Sequence, residues 1–286
     1  MKIPARLQPL VEDGLIDEVL YQLMSGKEAT VYVVKSQGNI CCAKVYKEAM
    51  KRSFKKAAQY QEGRKVKNSR RARAMEKGSS FGRKQLEDAW QNAEVDALFT
   101  LSKAGVRVPQ PYGCYDGVLL MELVTDDEGN VAPRLNDVSM SSEQALEDHA
   151  EMMHYTKLML CCGLVHGDLS EFNVLVDDYG PVIIDLPQAV NAAANNNAFS
   201  MLVRDVRNIT QYYSQFAPEL SNTLYAEEMW ALYEDGNLTP ETELSGFFQQ
   251  DLHEADVDTV LEEIKAAFAE EQARLARING TTDIEE

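Results

Sequence analysis

Between Val165 and Pro187 the chain reads V-H-G-D-L-S-E-F-N-V-L-V-D-D-Y-G-P-V-I-I-D-L-P, and this stretch limits the possible folds more than any other. Val174-Leu175-Val176 and Val182-Ile183-Ile184 are strand-like runs, and the intervening Asp177-Asp178-Tyr179-Gly180-Pro181 suits a hairpin turn. Such a hairpin sets Asn173 and Asp185 at its two open ends, with Asp168 on the loop just before it. One amide oxygen and one carboxylate are hard ligands that leave room for water and phosphate oxygens around a magnesium ion. Asn173 and Asp185 are therefore the metal candidates.

Asp168 lies five residues before Asn173, placed to accept or orient a hydroxyl that attacks a γ-phosphate. The spacing follows H-R-D-L-x-x-x-N at every position but one, where Gly167 stands for Arg. Taken singly, these Asp and Asn residues are ordinary turn formers. In combination they point to a phosphotransferase.

Upstream, two β-like runs flank the turn Ser25-Gly26-Lys27-Glu28-Ala29, whose backbone N–H groups and Ser25 hydroxyl could cover phosphates. It is neither G-x-G-x-x-G nor a Walker loop, and alone reads more readily as a plain hairpin. Lys44 sits inside the apolar strand pattern Ile40 to Tyr46, flanked by Ala43 and Val45. This is the setting of a lysine that contacts α- and β-phosphates and pairs with a helix carboxylate. Gln85 to Ala104 has helical spacing, and Glu94 at its middle is the expected partner, with Glu87, Asp88 and Asp96 as alternatives. A strand over Val118 to Val124 followed by Thr125-Asp126-Asp127 reads as a hinge, where Met121, Glu122 and Val124 would meet adenine.

Other segments read as scaffold. Leu7, Leu10 and Val11, then Leu15, Ile16, Val19 and Leu20, suggest one or two short N-terminal helices. Ser141 opens a helix with a capping box closed by Gln144, and His149 and His154 on it read as partly buried helix residues without metal partners. Leu186-Pro187 follows Asp185, and proline there should hinder a loop flip. Ala217-Pro218-Glu219 is not the end of an activation segment, because Phe199, Leu202, Val203, Val206 and Ile209 recur at helical spacing before it. Asn191 to Asn197 reads as a soft linker, and an amphipathic tail runs from Val257 to Ile278.

The chain has 286 residues, 45% of them hydrophobic, as in a globular protein. No apolar run approaches the ~18 residues of a membrane span, and Pro4 and Arg6 interrupt any signal-peptide core, so a cytoplasmic location without a membrane partner is expected. Five cysteines form neither a disulfide framework nor a C-x-x-C pair and read as small buried hydrophobes. Net charge is −18, yet residues 47–84 carry 14 Lys or Arg against 3 Asp or Glu, which is +11 and leaves −29 for the rest. DNA binding by the chain as a whole is disfavoured, while residues 63–83 read as a mobile basic loop able to meet an anionic partner.

These motifs resemble those of the RIO family of atypical serine/threonine protein kinases. Ser25-Gly26-Lys27-Glu28-Ala29 is similar to that family's S-T-G-K-E-A, one residue shorter, and His166-Gly167-Asp168-Leu169-Ser170-Glu171-Phe172-Asn173 resembles its catalytic loop throughout. Ile184-Asp185-Leu186-Pro187-Gln188 is similar to its metal motif, and Trp90 to Glu94 to the segment that supplies its helix glutamate. The likeness runs from about Leu15 to Phe216, with no winged helix expected ahead of it.

The resemblance implies an α+β, bilobal protein-kinase-like fold. Residues 1–123 form a β-rich N-lobe and 124–286 a mostly helical, truncated C-lobe with an acidic tail. It implies ATP and Mg2+ as cofactors, with Mn2+ as a substitute, and catalytic residues Lys44, Asp168 and Asp185. ATP would be held by Ser25, Gly26, Lys27, Lys44, Glu94, Met121, Glu122 and Val124, and metal by Asn173 and Asp185. It further implies phosphorylation of a protein substrate or of the chain itself, with Ser69, Ser79 and Ser80 as candidate acceptors. An aspartyl-phosphate at Asp185 serving an ATPase switch and a ribosome-assembly partner are also implied. The competing readings are a small-molecule phosphotransferase of the aminoglycoside or choline type, and a nucleotide-gated scaffold without turnover.

Overall fold

The computed structural model describes residues 3–26, 29–47 and 93–248. The expected basic loop, its serines, Lys27, Trp90 and the acidic tail from 249 lie outside the described residues. Residues up to Phe247 form one compact unit.

The chain opens with a short helix, α1 (Gln8–Glu12), which ends at Gly14 with φ +72°. Three antiparallel strands follow: β1 (Glu18–Ser25), β2 (Ala29–Ser36) and β3 (Asn39–Tyr46). After a helix over 93–103 (α2) come β4 (Pro111–Tyr115) and β5 (Val118–Glu122), completing a sheet ordered β1-β2-β3-β5-β4. Period-two alternation divides β3 between the two faces of this sheet. Cys41, Ala43 and Val45 pack with Leu7, Leu10 and Ile16 on one side. Tyr46 joins Leu119 and α2 residues Ala97, Leu98 and Leu101 on the other, and Lys44 shares that second face by alternation.

The second N-terminal helix is not formed. Leu15 to Leu20 has helical spacing, but Asp17 N–H donates to the Lys35 carbonyl at 2.7 Å and its carboxylate accepts the Gly38 N–H at 2.9 Å, drawing the chain into β1 at the next residue. The β1–β2 register shifts between Val19 and Tyr21, so the strand lacks clean alternation and imitates a helix in sequence.

The helical part is built on α3 (Ser142–Cys161). A short strand β6 (Leu164–Val165) follows, then the hairpin β7 (Val174–Asp177) and β8 (Gly180–Ile183), and β9 (Val190–Asn191), which pairs back on β6. Helices α4 (Ala198–Tyr213) and α5 (Tyr225–Glu234) complete the core with Met152, Leu160, Leu202, Ile209 and Met229. α4 is continuous through the apolar spacing read from the sequence, and a 3-10 turn, Pro218–Asn222, contains the Pro-Glu of Ala217-Pro218-Glu219.

Smaller expectations are corrected. The Ser141 hydroxyl accepts the Gln144 N–H at 3.1 Å, but the Gln144 amide donates to Asp148 Oδ1 at 2.7 Å, so the box is open on its second side. His149 is fully buried, donating to or accepting from Thr210 Oγ1 at 2.9 Å, and His154 is exposed. Cys41 and Cys42 are buried, but Cys114 is exposed and Cys161 and Cys162 are half-buried. The expected linker is tied down, with β9 at its start and a buried Asn195 whose side chain accepts the Asn197 N–H at 2.8 Å. No helix among the described residues is long and apolar enough to cross a membrane.

Candidate active site

The 3.6-residue repeat of α2 puts Glu94 on one stripe with Ala97, Leu98 and Leu101, so its carboxylate enters the sheet face that carries Lys44. Lys44 Nζ donates to Glu94 Oε1 at 2.6 Å and, from the opposite side, to Asp185 Oδ1 at 2.9 Å. The Tyr46 hydroxyl donates to Glu94 Oε2 at 2.6 Å, satisfying the second oxygen of a side chain that is only 2% exposed. Glu94 is thus the partner of Lys44; Asp96 is exposed, and Glu87 and Asp88 lie outside the described residues. Burial alone would lower the Lys44 ammonium, but the Glu94 and Asp185 carboxylates outweigh it and hold its pKa above the ordinary lysine value. Burial would likewise raise the Asp185 carboxyl, and the charge and hydrogen bond of Lys44 reverse this, leaving it below the usual carboxylate range.

The hairpin fixes the other polar groups. β7 and β8 pair Val174 with Ile183, and the Ile184 N–H donates to the Asn173 carbonyl at 3.0 Å, so Asn173 lies across from Ile184, next to Asp185. Asn173 Nδ2 donates to the Asp168 carbonyl at 2.8 Å, while Oδ1 makes no hydrogen bond among the described residues. Asp185 adopts φ +66°, a left-handed conformation that costs a non-glycine residue energy and turns its side chain out of the strand direction. His166 joins the two loops: Nε2–H donates to the Ile184 carbonyl at 3.2 Å and Nδ1 accepts the Asp168 N–H at 3.3 Å. That pair of bonds needs the neutral ring, and burial keeps the imidazole below its ordinary pKa. Asp168, Asn173 and Asp185 are therefore drawn together at one end of the hairpin.

Two hard oxygens, Asn173 Oδ1 and the Asp185 carboxylate, suit a magnesium ion that keeps water and phosphate in its other positions. No group of three His, Cys, Asp or Glu able to hold a metal occurs among the described residues. The residues expected to form a hinge lie at the end of β5 and just after it. Glu122 is locked to Gln110, donating its N–H to the Gln110 carbonyl at 2.9 Å and accepting the Gln110 N–H on its carboxylate at 3.0 Å. The Val124 carbonyl accepts from Ala132 N–H at 3.0 Å, and Val124, Ala132 and Val182 form a small apolar cluster with Leu175. Met121 is half-buried on β5 against the main core. In the Ser25 turn, the Gly26 N–H donates to the Ala29 carbonyl at 2.9 Å and the Ser25 and Thr30 hydroxyls lie 3.2 Å apart.

The sequence reading assigned no contact to three groups of side chains. Lys47 closes the Ser25 turn, its ammonium donating to Ser25 Oγ at 2.9 Å and to the Gly26 carbonyl at 2.5 Å. Asp205, 1% exposed inside α4, accepts the Gly167 N–H at 2.7 Å on one oxygen and the Leu169 N–H at 3.1 Å on the other. Burial pushes its carboxyl up to about 7, against the pull of Gly167, Arg204 and Leu169. Arg204 donates to the Gly167 carbonyl and Asn208 to the Leu169 carbonyl, so one helix grips the loop backbone on both sides of Asp168. An acid on the apolar stripe of α4, between Leu202 and Ile209, was the available signal. Gly167 itself has φ +82°, a conformation that disfavours the arginine of the common motif. The third is Gln188, whose amide reaches Asp168.

A sheet that carries the lysine–glutamate pair, set against helices that carry a His-Gly-Asp loop and an aspartate hairpin, belongs to the two-lobed kinase-like class of α+β proteins. Residues 30–226 match the family model of the RIO domain, and the chain belongs to the RIO family of kinases. It is 34% identical over 212 residues to the RIO-type serine/threonine-protein kinase Rio1 of Haloferax volcanii, covering 73% of this chain and 68% of that one. It is 29% identical to the serine/threonine-protein kinase RIO1 of Chaetomium thermophilum, over 72% of this chain and 41% of that one, and 28% identical to human RIO1, over 80% and 38%. The chain thus spans about two fifths of the fungal and human relatives. Among solved structures, the Rio2 kinase of Chaetomium thermophilum, in a complex described as ADP/Mg2+-phosphoaspartate, superposes with a TM-score of 0.56 at 21% identity over 94% of this chain and 75% of that one. This last likeness concerns the fold.

Proposed function

We propose that the chain is an ATP- and magnesium-dependent serine/threonine protein kinase, with residues 1–123 and 124–286 as its two lobes. The observation that carries this reading is the single ammonium of Lys44 held by Glu94 on one side and Asp185 on the other. In this reading Lys44 binds the α- and β-phosphates, and the backbone of Glu122 and Val124 meets the adenine edge under Met121. Ser25, Gly26 and Lys27 cover the phosphates once the turn opens. Asn173 and Asp185 hold the magnesium, which when bound neutralises charge on the transferring phosphoryl group. Asp168 accepts the proton of the attacking hydroxyl as its oxygen bonds to the γ-phosphorus and the bond to the β–γ bridging oxygen breaks, releasing ADP.

The same site supports a second outcome. Asp185 is ionised and its side chain is 49% exposed, so one oxygen remains for attack on the γ-phosphorus. The products are an acyl phosphate and ADP, and water then cleaves the acyl phosphate to restore the carboxylate. A relative of the same fold is described as a phosphoaspartate complex, which favours including this branch. By family resemblance the partners extend to a ribosome-assembly particle, and the acceptors in autophosphorylation to Ser69, Ser79 or Ser80.

Incubation of the purified chain with γ-labelled ATP and magnesium tests the proposal. Label on the chain or on a serine-bearing protein, lost in Asp168→Asn, is the expected result. Label that hydroxylamine releases and Asp185→Asn lacks identifies the acyl phosphate. Turnover only on adding an aminoglycoside or choline would replace this reading with the small-molecule one.

A further inference from the structure

The segment after Asp185 is short and fixed at both ends. Ile184 N–H is bonded to the Asn173 carbonyl, Leu186 is buried, the Ala189 N–H donates to the Leu186 carbonyl at 3.0 Å, and Val190 enters β9, which pairs with β6. This arc places the half-buried Gln188 so that its Nε2 lies 3.1 Å from Asp168 Oδ2. Only the nitrogen end of the amide can face a carboxylate oxygen at that distance, because two acceptors repel; the donor is the Gln188 N–H. Asp168 is exposed, its main chain is held by His166 and Asn173, and among the described residues Gln188 makes the only hydrogen bond to its carboxylate.

We infer that Gln188 is a positioning residue for Asp168. It rests on the kinase reading above, in which Asp168 is the base. The Gln188 N–H occupies Oδ2 and restricts rotation of the carboxylate, so that Oδ1 is presented to the acceptor hydroxyl. The attacking O–H proton then passes to Oδ1, the new P–O bond forms, and the bond to ADP breaks, with Gln188 neither gaining nor losing a proton. A neutral donor has a particular merit here. It orients the carboxylate without adding a cation that would compete with the hydroxyl proton, whereas loss of the donor leaves the carboxylate free to turn in an exposed cleft. Orientation of this kind acts on the transferring step and leaves nucleotide binding, which uses Lys44 and the hinge, unaffected.

Three variants of similar length separate donation from packing: Gln188→Met, Gln188→Lys and Gln188→Glu. Their kcat for phosphorylation of a serine protein substrate and KM for ATP are measured beside wild type and Asp168→Asn. Gln188→Met keeps the shape and removes the donor, and kcat should fall about tenfold with the KM for ATP unchanged within twofold. Gln188→Lys restores a donor but brings a cation that competes for the carboxylate, so its rate should lie between those of Gln188→Met and wild type. Gln188→Glu puts an acceptor against an acceptor and should be the slowest, about a hundredfold down. A merely structural glutamine gives a different order, with Met closest to wild type and both charged variants equally impaired, and that order overturns the inference. So does an unchanged kcat in all three. If Asp168→Asn itself keeps the wild-type rate, the base reading fails and the inference with it; if Asp168→Asn is inactive while the Gln188 variants follow the structural order, only the inference fails.

Discussion

Breaking the Lys44–Glu94 pair gives the sharpest test of the cleft. Lys44 is 11% exposed and Glu94 2% exposed at the side chain, and their atoms meet at 2.6 Å, so neither charge has enough water to fall back on. Removing one partner of a buried ion pair costs about 3–5 kcal/mol. Glu94→Gln retains an acceptor for Tyr46 and leaves Lys44 its Asp185 contact at 2.9 Å, which places this variant near the lower bound, about 3 kcal/mol. Lys44→Met leaves the Glu94 charge with the Tyr46 hydroxyl as its remaining bond and should cost at least as much. The double variant strands no charge in the core, so it should be no worse than the poorer single, a coupling of about 2–3 kcal/mol. Urea unfolding reads this directly: with a slope of about 3 kcal/mol/M, each single lowers the midpoint by about 1 M and the double by about the same. Strict additivity, with the double near 2 M lower, would refute the argument that the charges sustain each other. Phosphoryl transfer separates stability from chemistry: the double variant lacks the ammonium to which the proposed function assigns phosphate binding, and it should remain inactive even where it is folded.

Other outcomes follow from the same geometry. His149 is buried and its pKa is lowered to about 4 by desolvation, so below 6.5 the unfolded chain takes up a proton that the folded chain refuses until about pH 4. Its contribution is therefore present above pH 6.5 and lost as pH falls through that window, by about 3 kcal/mol. Gln in its place keeps a bond to Thr210, and the stability gap between wild type and His149→Gln should move by that amount between pH 7 and pH 4; parallel urea midpoints would contradict it. Asp205→Asn can accept only one of the two loop N–H groups and sets its amide against the other, so a loss of about 2–3 kcal/mol is expected in thermal unfolding, together with a fall in kcat. Gly167→Ala forces a side chain into φ +82° and should cost about 1–2 kcal/mol, whereas Gly26→Ala, at an ordinary φ and with its nearest neighbour at 3.7 Å, should be close to neutral.

The hairpin was legible because two apolar runs around a turn cluster admit few other pairings, although the strands extend through Asp177 and Gly180 and the turn narrows from the expected five residues to Asp178 and Tyr179. Lys44 and Glu94 were legible for a related reason: a cation in an apolar strand and an acid on an apolar helix stripe each need a partner, and here they find one another. β1 was not, because its register shifts erase the alternation that marks a strand, leaving Leu15, Ile16, Val19 and Leu20 at a spacing that also suits a helix. Asp205 and Gln188 were hidden more deeply. Each acts on a loop far away in sequence, 38 and 20 residues respectively, through a contact that no local periodicity encodes. The fate of the Ser25 turn was beyond the pattern too, since whether its donors face inward depends on Lys47, Thr30 and Ala29 together.

The four residues between Asp185 and β9 leave this loop almost no slack. A protein kinase usually carries a long strap at this point that other enzymes can decorate to turn it on. Four residues offer other enzymes little to decorate at this point, so on the kinase reading proposed above the timing of the reaction would rest with the occupant of the cleft itself.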